Sequence, residues 1–224
     1  MDNLNSTYNW YKSISQNLNR IEQLDKLIQE IKNDFKFNKI ICIETGASQS
    51  MDDGCVGLFF AKLCDLNDGE FYSVDNNENI IKQSKTIYKK HNLKVKHYLQ
   101  DSVEFLEDTK IIPNLIHLDS WDLNLNNPFP GALHGWREFI AIEDKMPIGS
   151  IIIIDDNFFK GTWVEWNHLE FEKHKDEKIY IKYPIVGKGS MVYHFIESGK
   201  SNWEKLSLDK AGLNIKLIYK KVRQ

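Results

Sequence analysis

The sequence predicts a doubly wound α/β domain: a mostly parallel sheet with helices on both faces and an antiparallel hairpin at its C-terminal end. Three observations carry this. Short apolar segments alternate with helix-length amphipathic ones between Lys39 and Ile154. Segments such as Ile151 to Ile154 are solid Ile rather than alternating, as in strands covered on both faces. Strands separated by helices join in parallel through right-handed crossovers. With 224 residues, 42% of them hydrophobic, the chain suits one such domain with a sizeable core.

The elements follow in order. Between Tyr8 and Phe35, Ile14, Leu18, Ile21, Leu24, Leu27, Ile28 and Ile31 recur at three-and-four spacing, which marks one amphipathic helix or a pair. Residues 1–37 are therefore expected as a helical lead-in to a domain at 38–224. Its stripe should pack on that domain or on a second copy, which makes it the expected surface of a homo-oligomer. Strands are expected at Lys39 to Ile43, Glu70 to Val74, Lys94 to Tyr98, Asn114 to Leu118 and Ile151 to Ile154. Helices are expected between them at Asp53 to Cys64, Glu78 to His91, Ser102 to Leu106 and Leu133 to Asp144.

After Asn157 the rhythm changes. Residues 158–186 read as an insertion, helical over Trp163 to Lys178. Its Phe158, Phe159, Trp163, Trp166 and His168 suit a lid over a sugar or aromatic ring, with packing on the sheet edge as the alternative. A helix at Ser190 to Glu197, a strand at Trp203 to Leu208 and a turn at Ala211 to Leu213 follow. Asn214 to Val222 alternates as a hairpin strand with one solvated face does. Gly187-Lys188-Gly189-Ser190 lacks the full phosphate-loop spacing and reads as a turn into a helix.

Charge and cysteine usage limit the partners. The chain has 29 Lys and Arg against 32 Asp and Glu, a net charge of -3, so no global positive field draws nucleic acid or anionic lipid. No apolar run approaches the roughly 20 residues of a bilayer span. The N-terminus, MDNLNSTYNWYK, lacks the pattern of a secretory signal. A cytosolic protein without membrane or nucleic-acid partners is expected. Cys42, Cys55 and Cys64 are odd in number and without CxxC spacing, which suits reduced, packed thiols.

In doubly wound folds ligands bind beyond the carboxyl ends of the strands, so the residues there are the candidates. The first strand runs into Glu44, Thr45, Gly46, Ala47 and Ser48, a turn of small residues after a carboxylate. A dinucleotide fingerprint would require GxGxxG, and only Gly46 is present. Asp75 and Asn76 end the second strand, where a carboxylate can hold the hydroxyls of a ribose. Asp101 and Ser102 follow the third and could read an adenine edge, while Asp101 equally suits a helix N-cap. The fourth ends in Asp119, Ser120, Trp121 and Asp122, and the fifth in Asp155, Asp156 and Asn157. Carboxylates from neighbouring strand ends repel one another, and a hard divalent cation such as magnesium would relieve them.

Together these residues resemble the class I S-adenosylmethionine-dependent methyltransferases over about residues 38 to 157. The resemblance implies a Rossmann-like sheet, S-adenosylmethionine as cofactor, and contacts from Glu44, Thr45, Gly46, Ala47 and Ser48, from Asp75 and Asn76, from Asp101 and Ser102, and from Asp119. The segments His117 to Trp121 and Ile154 to Asn157 are similar to metal-dependent O-methyltransferases of the catechol and macrolide-sugar types. That similarity implies magnesium held by Asp119, Asp156 and Asn157, with Asp155 as a substitute. Where the catechol enzymes carry a lysine three residues past the first Asp, this chain has Asp122, so a different group must take the proton. Asp119 and His134, the latter at the start of the helix before the fifth strand, are the candidates. The expected activity is methyl transfer to a hydroxylated small molecule, such as a sugar or nucleotide-sugar. A non-catalytic binding module and a nucleotide-dependent oxidoreductase are the alternatives, the latter disfavoured by the missing glycines.

Overall fold

A computed structural model describes residues 2–34, 36–51, 55–165, 178–207 and 215–224. The first five strands are β1 (Ile41–Thr45), β2 (Glu70–Asp75), β3 (Lys96–Leu99), β4 (Leu115–Leu118) and β5 (Ile151–Phe159), and they pair in parallel in the order β3-β2-β1-β4-β5. The order reverses between β1 and β4, the switch point at which such sheets open a crevice. β10 (Ile215–Lys221) runs antiparallel beside β5, and β9 (Trp203–Lys205) antiparallel beside β10. This is the expected mixed sheet with a terminal antiparallel pair.

The solid Ile run of β5 is explained by two-sided burial. Ile151 and Ile153 enter one core layer and Ile152 and Ile154 the other. The first layer lies under α1 (Asp2–Ile14), α2 (Leu18–Ile31), α3 (Val56–Asp65) and α4 (Glu78–Lys90). The second lies under α5 (Ser102–Asp108), α6 (Phe129–Ile142) and α7 (Ser190–Glu197). The lead-in is two helices, because Asn17 caps α2 by accepting the Arg20 N–H at 3.0 Å. Its stripe is spent on the domain: Leu24, Leu27, Ile28 and Ile31 are buried, and Tyr11 of α1 is fully buried, edge-on to Phe59. Leu18, of the same stripe, remains exposed.

Two expectations are corrected. Trp163 to Glu165 is not the start of a helix but β6, paired antiparallel with β7 (Lys178–Tyr180). The Trp163 and Tyr180 rings meet 5.0 Å apart across the pair, a cross-strand contact that favours strand over helix. Residues 166–177, with Trp166 and His168, lie outside the described residues, as does the turn at 211–213. β10 has no solvated face, since Ile218 enters one core layer and Leu217 and Tyr219 the other. Its alternating lysines are buried instead: Lys216 meets Asp155, and Lys221 donates to the Glu143 carbonyl at 2.7 Å. Gly187-Lys188-Gly189 is the expected turn into a helix: it ends β8 (Ile185–Gly187), which pairs with the distal part of β5, and leads into α7.

The pairing of β5 with β10 shifts register between Asn157 and Ile154, placing one extra residue on β5. This is a β-bulge, which re-aims side chains, and within it Asp156 takes a left-handed φ of 55°. Asp155 then points into the buried layer and Asp156 into the crevice. The three cysteines are free and buried. No helix among the described residues is long and apolar enough to cross a membrane.

Candidate active site

The crevice at the carboxyl ends of the strands is a cavity of about 1140 Å³. Gly46 turns the chain from β1 with φ of 79°, and a Cβ there would lie 2.5 Å from the Asp119 carbonyl oxygen. Only glycine fits where β1 passes β4 so closely. Ala47 and Ser48 continue the wall. Asp75 is locked in place: Oδ2 accepts the Ala47 N–H at 3.0 Å and Oδ1 the Asn77 N–H at 2.8 Å. Each oxygen keeps lone-pair capacity toward the cavity, and Asn76 lies beside it. Asp101 caps α5 through Val103 N–H at 2.9 Å and Glu104 N–H at 3.2 Å, and it lines the cavity with Ser102.

Two expected cofactor contacts are placed differently. Thr45 is fully buried and does not reach the cavity wall; its carbonyl accepts the Asp119 N–H at 3.0 Å. Glu44 borders the cavity but is only 2% exposed, and its carboxylate accepts the hydroxyls of Ser73 at 3.1 Å and Tyr88 at 3.2 Å. Gly57 packs directly on that carboxylate, with no room for a side chain.

His134 lines the cavity among polar groups. Its Nε2 stands 3.0 Å from Ser102 Oγ and 3.6 Å from Glu138 Oε1, and Ser120 Oγ donates to Glu138 at 2.6 Å. Although burial raises the Glu138 pKa, His134 and the hydroxyls of Ser120 and Ser102 hold it below the usual carboxylate value. The Trp121 ring lies against the imidazole, with centroids 5.2 Å apart.

Two of the expected metal residues, Asp119 and Asp156, are brought together, but around a lysine. Lys188 Nζ lies 2.8 Å from Asp119 Oδ1, 2.8 Å from Asp156 Oδ2 and 3.1 Å from the Asp119 carbonyl. Burial lowers the Lys188 pKa, but Asp119 and Asp156 outweigh it and hold the group above its ordinary value. Burial pushes the Asp119 carboxyl up to about 6 against the pull of Lys188. Asp119 keeps 28% of its side chain exposed and touches the ammonium directly, so the ion pair governs at neutral pH.

Asn157 faces away from the crevice. It is fully buried, accepts the Gly189 N–H at 2.8 Å, and donates to the carbonyls of Ile154 and Asp155. Asp155 is engaged by Lys216 and, at 3.1 Å, by Arg20 of α2. Burial raises its pKa, but Lys216, Arg20 and His117 outweigh that and depress it strongly. These residues do not fit magnesium, which needs several oxygens at about 2.0–2.1 Å where an ammonium already stands.

No protein-family model matches the sequence, and no curated protein does. Solved structures match the fold. An S-adenosylmethionine-dependent methyltransferase from Clostridium acetobutylicum aligns with a TM-score of 0.57 at 14% identity, over 96% of this chain and 99% of that one. The chain has the fold of the S-adenosylmethionine-dependent methyltransferases. The S-adenosylhomocysteine-bound methyltransferase PaMTH1 of Podospora anserina aligns with a TM-score of 0.57 at 12% identity, over 99% of this chain and 88% of that one. An rRNA methylase from Streptococcus thermophilus aligns at 0.54 and 9%, over 90% and 97%.

Within this methyltransferase fold, sequence reasoning missed Lys188, Glu138, Lys216 and Arg20. Lys188 had a usable signal: one lysine between two glycines, close in a doubly wound fold to more carboxylates than basic groups. Arg20 had none, since nothing in α2 announces which strand it reaches.

Proposed function

We propose that the protein is an S-adenosylmethionine-dependent methyltransferase acting on a hydroxylated small molecule. One observation carries this: the ends of β1, β2, β3 and β4 bring Gly46 to Ser48, Asp75, Asp101 with Ser102, and Asp119 onto the wall of a single cavity. Its volume exceeds the roughly 300–1,000 Å³ of pockets for one drug-sized ligand, which leaves space for cofactor and acceptor together. Asp75 would hold the ribose hydroxyls, the Gly46-Ala47 backbone would lie against the amino-acid end, and Asp101 and Ser102 would border the adenine.

A sulfonium methyl is already activated when bound. The chain's own task is to align the acceptor and take its proton. His134, oriented by Ser102 and Glu138, fits that role better than Asp119, whose carboxylate is committed to Lys188. Magnesium assistance is not part of the proposal, because Lys188 supplies the positive charge between Asp119 and Asp156.

The cavity carries Asp75, Asp101, Asp119, Asp122 and Asp156 against Arg20 and Lys188. That excess of negative charge suits a cationic cofactor and a neutral acceptor, such as a sugar or aromatic alcohol bordered by Trp121 and Phe158. It disfavours a nucleotide-sugar or an RNA backbone, even though two of the matched structures are described as rRNA methylases. The free thiols support a cytosolic setting.

Calorimetric titration with S-adenosylmethionine, S-adenosylhomocysteine and NADH tests the reading. Saturable binding of the first two alone supports it, and binding of NADH alone would favour an oxidoreductase. Turnover on a hydroxylated acceptor would separate the enzyme from a non-catalytic binding module.

A further inference from the structure

We propose that Lys188 is a built-in cation: its ammonium occupies the place of a divalent metal between Asp119 and Asp156, and the surrounding chain holds it there permanently. Its three N–H groups are matched by three oxygens, from the Asp119 carboxylate and carbonyl and the Asp156 carboxylate, at 2.8–3.1 Å. These are hydrogen-bond distances, not metal–oxygen ones. The side chain is buried, so removing it would leave two carboxylates facing each other at the edge of the cavity.

The loop that carries Lys188 is fixed on three sides, which distinguishes it from a surface lysine that has fallen into a cleft. Gly187, with φ of 141°, lies so close to the Asp156 carbonyl that no side chain fits. A Cβ on Gly189 would lie 2.6 Å from Leu217 and 3.0 Å from Asn157 Oδ1. Gly135 of α6 packs directly on the Lys188 carbonyl. Asn157, the third residue of the expected ligand set, accepts the Gly189 N–H instead. Two members of that set thus hold the ammonium and the third holds the loop that delivers it. Lys188 is a positioning residue: it joins the ends of β4 and β5 and sets the charge of the cavity floor. The inference concerns cation binding alone and stands apart from whether the chain transfers methyl groups.

Manganese titration of the metal-free full chain, followed by electron paramagnetic resonance, tests it. The wild type should show no Mn²⁺ binding that depends on Asp156. Lys188→Ala should gain a site at least about tenfold tighter than any on the wild type, because two unpaired carboxylates are then available to a hard ion. Adding Asp156→Asn should abolish the gain, and Lys188→Arg should keep the ion out. Asp156-dependent binding to the wild type, or a folded Lys188→Ala that takes up no Mn²⁺, would overturn the proposal. If Lys188→Ala fails to fold, the wild-type titration against Asp156→Asn decides alone.

Discussion

Arg20 on α2 reaches Asp155 on β5 at 3.1 Å, so the N-terminal helices are tied to the same bulged strand that aims Asp156 into the cavity. Asp155 is only 1% exposed and also meets Lys216. Removing either cation leaves part of a buried charge uncompensated. Arg20→Ala is expected to cost about 1–3 kcal/mol, as for loss of a hydrogen bond to a charged group. Lys216→Ala should cost more, about 3–5 kcal/mol, since Lys216 is the more buried cation. Urea unfolding measures both, and equal losses would show that Arg20 carries as much of the compensation.

Asp75→Ala should weaken S-adenosylmethionine binding by about 1–3 kcal/mol while the fold persists, because the residue ends β2 rather than filling the core. Calorimetry together with a thermal melt checks both parts. Unchanged affinity in a folded variant would remove Asp75 from the cofactor site.

His134→Ala should reduce methyl transfer by roughly 10²–10⁴-fold, the usual contribution of a positioned base, and spare cofactor affinity. Glu138→Gln should give a smaller loss, since it leaves the imidazole in place and alters only its orientation. Single-turnover rates with an acceptor found by screening hydroxylated compounds provide the measurement. Equal rates in wild type and His134→Ala would move the base elsewhere.

Among the sources of pH-dependent stability is His97, whose pKa is lowered to about 4, chiefly by burial and then by Lys85. Its unfolded value is about 6.5. Between these values the unfolded chain binds more protons, so stability rises with pH there and is lost as pH falls from about 6.5 to 4. His97→Gln should flatten that part of the curve. Denaturation midpoints at half-unit pH steps would show it, and an identical slope in the variant would assign the loss to other groups.

Much of the fold was legible because burial on two faces writes itself into composition. Ile151 to Ile154 and Ile41 to Ile43 read as interior strands and are so. The strand ends were legible for the same reason, as polar residues directly after an apolar run, and Gly46, Asp75, Asp101 and Asp119 all reach one cavity. What stayed hidden depended on contacts between distant segments. The alternation of β10 looked like a solvated face because a buried lysine and an exposed one read the same in sequence until Asp155 is placed beside Lys216. Trp163 to Glu165 is too short for periodicity to decide between helix and strand, and its partner β7 settles it. Asp119, Asp156 and Asn157 suited a metal by residue type, and only the return of residues 187–189 to the end of β5 sets an ammonium between the two carboxylates and turns Asn157 to the Gly189 N–H.

One polar row runs across the interior of the sheet, through Ser73 on β2, Glu44 on β1, His117 on β4, Asp155 on β5 and Lys216 on β10. Ser73 donates to Glu44 at 3.1 Å, His117 lies 3.8 Å from both Glu44 and Asp155, and Lys216 meets Asp155. A run of four consecutive isoleucines has almost no preference among alignments with its neighbours, since any slip puts Ile against apolar residues again. A slip of one residue in any of these five strands would turn its polar group to the opposite face and away from its neighbours in the row. The row therefore selects one alignment from several that the apolar residues alone would accept, and the depth and floor of the cavity above it are inherited from that choice.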